Sequence, residues 1–276
     1  MLFYKLLIFS CLFCTVANAT DFLLGLGVEA DSTDGRAIST FADIEYSDKT
    51  WLSLVAVQSE TDGVTSSNET TFVSVNVDSF FDPVGLRIGA GYWGNSNVLD
   101  SQDLSMSLYI NGNSGSLSID YERRKFEFLL QAEALSRQPV EFSADGLGIS
   151  SRLAFSQNIN FYLGGMAYDY SKDLRVQPNI SSLAYISRSR LSAVGNLIDH
   201  QLSAGLEYRF GLKSVDFAIS QWQIAIDDSR VDSYSIGYLT PVFDRFDTEL
   251  RLSLDQSETY GKTTAVSFYL YYFGGS

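Results

Sequence analysis

The 276 residues contain one histidine, and it follows an aspartate: Asp199-His200, with Ser203 three positions on. These are the residue types of a hydrolase, in which a base activates a hydroxyl and a carboxylate orients the base. The spacing works against that chemistry, because neighbours on a strand point to opposite faces and the three groups would not converge. A solvated histidine at a rim is the expected reading, and no residue is assigned as catalytic. Glu127 with Glu133 and Asp247 with Glu249 have the types of an acid-base pair, but they sit among many other acids on a polar face. Asp31-Ser32-Thr33-Asp34-Gly35 begins like a calcium loop and lacks the distal glutamate, so it reads as a turn. No metal or cofactor is expected, and the chain is not expected to be an enzyme.

Composition narrows the classes further. With 33 acidic against 19 basic residues, the chain is not suited to nucleic acid. An aromatic content of 14% and only 4 prolines describe a chain that can bury enough surface to fold. Residues 1–19 have a cation at Lys5, an apolar run and Ala17-Asn18-Ala19, the pattern of a cleaved signal peptide. The weaker alternative, a lipid-modified Cys11 or Cys14, is opposed by the bulk of Phe9 and Phe13. Cleavage after Ala19 removes both cysteines, leaving residues 20–276 as one domain without thiol chemistry.

After residue 20 no apolar run approaches the roughly 18 to 20 residues that a membrane-spanning helix needs. The chain instead alternates with period two. Phe22, Leu24, Leu26 and Val28 oppose Gly25, Gly27 and Glu29; Val73, Val75 and Val77 oppose Ser74, Asn76 and Asp78. Leu250, Leu252 and Leu254 oppose Glu249, Arg251 and Ser253, and Phe126 and Phe128 are read as the apolar face opposite Glu127. Six short connectors (47–50, 81–84, 122–125, 157–160, 211–214 and 243–246) alternate with longer ones, including 60–69, 93–101, 136–146 and 172–199. Aromatics lie near many strand ends: Tyr46, Trp51, Phe80, Phe81, Tyr121, Phe126, Phe155, Phe161, Tyr208, Phe210, Phe243 and Phe246.

Short turns on one side, longer loops on the other and aromatic girdles are features of a transmembrane β-barrel, whereas a soluble sandwich has no reason for them. Six short turns plus two chain ends predict an all-β, antiparallel up-and-down barrel of about 14 strands. Residues 101–122 leave the count open at 16 or 12, because 111–115 also reads as a hairpin turn.

The chain resembles the outer-membrane β-barrel proteins of Gram-negative bacteria, and the likeness covers nearly all of residues 20–276. It is carried by the signal peptide, the alternation and the final strand, in which Tyr271 and Phe273 match the terminal aromatic pattern read by the barrel-assembly machinery. Gly274-Gly275-Ser276 depart from a strictly terminal aromatic. The resemblance implies residence in the cell outer membrane, with its lipid, its lipopolysaccharide and the assembly machinery as partners, and a monomer.

The face opposite the apolar one is then the lumen wall. Asp43, Glu45, Asp78, Asp120, Glu127, Glu133, Glu207, Asp247 and Glu249 are expected there with Arg87, Arg152, Arg209 and Arg251. An acidic lumen favours cations; alternatively, the charges pair and plug the barrel. The 172–199 loop carries Arg175, Arg188 and Arg190. It serves either as a constriction folded into the lumen or as a surface loop on lipopolysaccharide, and its 182–194 part could be a short helix or a strand pair. The expected function is passive passage of small polar or cationic solutes, with a non-conducting structural or surface-interaction barrel as the alternative.

Overall fold

The computed structural model describes residues 21–62, 67–95, 99–129, 139–174 and 197–275. In chain order the strands are β1 (Asp21–Asp31), β2 (Arg36–Ser47), β3 (Thr50–Asp62), β4 (Ser67–Phe81), β5 (Val84–Asn95), β6 (Leu99–Gly112) and β7 (Gly115–Leu129). There follow β8 (Pro139–Ala154), β9 (Ile159–Tyr170), β10 (Ile198–Phe210), β11 (Lys213–Ile224), β12 (Arg230–Phe243), β13 (Phe246–Ser257) and β14 (Gly261–Gly275). Each strand pairs antiparallel with the next, and β14 returns to β1, from Asp21 opposite Gly275 to Asp31 opposite Ala265. The result is a closed 14-stranded barrel. Closure leaves no row of unpaired backbone groups, which is what a sheet needs in hydrocarbon.

The outer face carries the apolar half of the alternation. Leu26, Val28, Val73, Val75, Leu104, Leu108, Leu252 and Phe268 are all exposed there. Large apolar side chains in that number on the outside of a closed barrel form a lipid-facing belt. The chain ends and the short connections lie at one rim, and the other seven connections at the opposite rim. At the short-turn rim, outward aromatics touch in series: Phe155 with Phe161, Tyr208 with Phe210, Phe210 with Tyr238, and Phe246 with Tyr272 at 4.9 Å between centroids.

Two sequence expectations are corrected here. Glu122-Arg123-Arg124-Lys125 is not a turn; it runs through the middle of β7, and the hairpin turn is at Asn113-Ser114. Four adjacent charges resemble a connector, but alternation sends Arg123 and Lys125 outward and Glu122 and Arg124 inward, where Arg123 meets Asp145 at 3.7 Å and Arg124 meets Glu122 at 3.9 Å. Gly115 fixes the true turn: its φ is 153°, and a Cβ there would lie 2.0 Å from the Arg152 carbonyl oxygen. Secondly, Trp51, Phe80 and Phe126 point into the barrel and do not belong to the girdle. Phe80 stacks on Tyr109, and Trp51 shares a recess with Asp78 and Arg87. The strands have 11 to 16 residues, against the roughly 9 to 11 that cross a bilayer. The surplus is visible on β7, where the outward Arg123, Lys125 and Glu127 carry the wall past the apolar belt at the long-connection rim.

Candidate functional site

The lumen wall is built from small residues and from rings laid flat over glycines. Phe41 of β2 lies over Gly25 of β1, and Tyr162 of β9 over Gly205 of β10; a Cβ on either glycine would sit 1.9 Å from the ring. With no side chain beneath them, the rings lie against the backbone of the wall. Serines and glycines elsewhere, among them Ser74, Gly89, Ser105, Gly148, Gly164 and Ser220, continue the thin inner lining.

Charged side chains cross this lining in clusters. Arg87 Nη2 meets Asp78 at 2.7 Å, and Tyr109 donates to the same carboxylate. Glu207 accepts from Arg152 and Arg209, each at 2.7 Å, and from Asn160 at 3.0 Å. Arg251 bridges Asp216 and Glu249 at 2.9 and 2.7 Å, and the Tyr271 hydroxyl donates to Glu249 at 2.6 Å. Asp43, Glu45, Asp120 and Asp247 occupy inward register positions, with Asp120 accepting from Ser118 at 2.9 Å. Asp43, Asp78 and Arg87 line a recess of about 760 Å³ at the short-turn rim. Acids outnumber arginines on this inner face, so it remains net negative after pairing.

Glu127 is the exception among the expected lining residues. It is exposed and lies between the buried Phe126 and Phe128, so it stands on the outer wall and does not line the lumen. The reason is the parity of β7: with no turn at 122–125, the phase set by the outward Leu117 and Ile119 continues and brings both phenylalanines inside. Glu133, Arg175, Arg188 and Arg190 lie outside the described residues. Tyr271 and Phe273 lie on β14 opposite Gly25 and Leu23 of the first strand, at the barrel seam.

Those inward phenylalanines belong to a feature that sequence reasoning missed. At the long-connection rim a cluster of buried apolar side chains spans the barrel: Trp93, Leu99, Phe126, Phe128, Phe142, Ile224, Ile226 and Val231, with Tyr168, Tyr170 and Trp222 packed against it. Leu174 and Leu197, at the two ends of the long 171–197 connection, are 3% and 0% exposed within it. Rings stack inside it, Phe126 on Phe142 at 4.8 Å. Directly beneath lies Arg124, 3% exposed, with its Cζ 4.8 Å from the Phe126 centroid. Its guanidinium reaches Asp103 at 3.4 Å and Glu122 at 3.9 Å, and Tyr168 donates to Glu122. The signal for its two phenylalanines was present in the sequence: carrying the Leu117/Ile119 phase forward as far as 128 places both inside the barrel.

The aspartate-histidine pair is also better joined than its spacing predicts. Asp199 Oδ2 lies 2.9 Å from His200 Nδ1, because the strand is irregular between Ile198 and His200 and the two side chains come together. Ser203 nevertheless turns to the lumen side, where its hydroxyl donates to the Gly164 carbonyl at 3.4 Å, while His200 follows the outward phase of Leu202. Ser203 is therefore not placed to be activated by the pair. Asp31 Oδ1 accepts from the Thr33 and Gly35 amides at 2.7 and 2.9 Å, the turn expected of that segment. Among the described residues no three histidine, cysteine or acidic side chains converge as a metal site.

No family model and no curated protein matches the chain. Solved structures do. The CymD monoaromatic hydrocarbon channel is similar over 94% of this chain and 88% of its own, with TM-score 0.56 and 10% identity. The two share the fold of a closed, antiparallel up-and-down β-barrel. Weaker likenesses are to the NanC porin (TM-score 0.47, 9% identity, 90% of this chain and 98% of that one) and to OpdK of Pseudomonas aeruginosa solved with vanillate (0.45, 8%, 92% and 97%).

Proposed function

We propose that the protein is a passive channel of the outer membrane for small solutes, with a cation-favouring lumen beneath an apolar gate at the outer mouth. One observation carries the reading. A barrel that is apolar outside has an inner face of small residues and paired charges, with its rings held flat over glycines. A barrel sealed along its length by side chains has no use for glycines under its lumen rings. The net negative wall supports the expected preference for polar or cationic solutes, since a lumen lined by acids raises the local concentration of cations. The similar CymD protein is a channel, a use to which a barrel of this build can be put.

The packed outer mouth favours a second reading, a non-conducting barrel. Moving a bare ion into an apolar constriction costs tens of kcal/mol in the idealised limit, so the gate as packed opposes inorganic ions. The two readings separate on a variant. Phe128→Ser with Ile226→Ser makes the mouth polar, and in a planar bilayer with sodium chloride the channel reading expects stable steps, larger than wild type and cation-selective. Silence from the variant, with the folded heat-modifiable gel mobility of a barrel, would favour the non-conducting reading.

A further inference from the structure

The gate and the lumen below it ask for different solutes, and one class satisfies both. The gate presents ring faces and aliphatic side chains, which an inorganic ion cannot use in place of its hydration shell. The lumen presents an excess of carboxylates, with which a hydrocarbon makes no favourable interaction. From this combination we infer that the solute is a small organic cation bearing an aromatic or alkyl group. The inference rests on the channel reading.

The cluster already accommodates such a group. The Arg124 guanidinium, a delocalised and weakly hydrated cation, lies over the Phe126 ring at 4.8 Å, in the geometry by which aromatic faces bind ammonium groups. Trp93, Tyr168 and Tyr170 supply further rings in the same cluster. Arg124 itself does not turn the site positive, because Asp103 and Glu122 both face it. A cation with an apolar body therefore meets ring faces first, two carboxylates against one arginine next, and then the acidic wall with Asp120, Asp43 and Asp247. An aromatic anion passes the first stage and is opposed at the others. Sodium is opposed at the first.

The test is a reversal-potential measurement on the purified full barrel in a planar bilayer, with benzyltrimethylammonium chloride facing the outer mouth and sodium chloride on the other side. The expected result is a several-fold higher permeability for benzyltrimethylammonium than for the smaller sodium ion, with sodium benzenesulfonate showing no such gain for its anion. Phe126→Ser, and independently Phe128→Ser with Ile226→Ser, should abolish the preference by admitting sodium, each variant being checked for heat-modifiable mobility. Wild type that passes sodium as well as or better than benzyltrimethylammonium overturns the inference while leaving the channel reading intact. So does a wild type silent to both when the Phe128/Ile226 variant conducts. If neither protein carries any current while both run as folded barrels, the channel reading itself falls.

Discussion

Arg124 keeps a full charge in a place almost without water. Removing one partner of a buried ion pair leaves the other uncompensated, at a cost of about 3–5 kcal/mol. Arg124→Met is therefore expected to lower the stability of the folded barrel by that amount, read as a shift in the urea midpoint. Adding Asp103→Asn and Glu122→Gln should recover a large part of the loss, because the stranded carboxylates go with the arginine. Gly205 makes a second demand at this scale: in Gly205→Val the new side chain occupies the place of the Tyr162 ring, which must swing toward the axis. The expected outcome is a smaller single-channel conductance in the Phe128→Ser/Ile226→Ser background together with a lower melting temperature. The two kinds of residue were unequally legible. Arg87, Glu207, Arg209 and Arg251 sit in strands whose alternation has one reading, whereas Arg124 lies in a run of four charges that looks like a solvated connector when read without its partners.

At the scale of the element, β7 shows what a turn signal can hide. Asn111-Gly112-Asn113-Ser114-Gly115 and Glu122-Arg123-Arg124-Lys125 both look like connections, and only pairing decides between them: β6 runs opposite β7 without a break from Gly112/Gly115 to Leu99/Phe128. A strand slipped by one residue exchanges its faces. Misplacing the turn therefore put Phe126 and Phe128 on the lipid side, put Glu127 in the lumen and concealed the apolar cluster at the long-connection rim. A short epitope inserted between Asn113 and Ser114 should leave an assembled, heat-modifiable barrel, and the same insert between Arg123 and Arg124 should abolish it. Single cysteines extend the test in a protein whose two native cysteines precede residue 20: Glu127→Cys should react with a membrane-impermeant maleimide added to whole cells, and Phe128→Cys should not.

For the molecule as a whole, closure joins residues about as far apart in sequence as the chain allows, β1 to β14. The alternation of the last strand was enough to place its two faces, whereas the short turns led to 14 strands only because the false turn at 122–125 stood in for the real one at Asn113-Ser114. The apolar cluster was not readable at this scale, because it gathers side chains from β5 through β9, from β11 and β12 and from the roots of the longest connection, and no local pattern announces that meeting. At the seam, Phe273 lies opposite Leu23, and its amide donates to the Arg245 carbonyl at 2.9 Å. If its ring serves as the recognition signal for the assembly machinery, Phe273→Ala should reduce the amount of barrel reaching the outer membrane while the fraction that arrives melts as wild type does. One consequence of the layout is electrical. A resistance at one end and a store of mobile positive charge behind it make a diode: in symmetrical salt, current driven from the acidic side outward should exceed the reverse at equal voltage, and widening the resistance should straighten the curve.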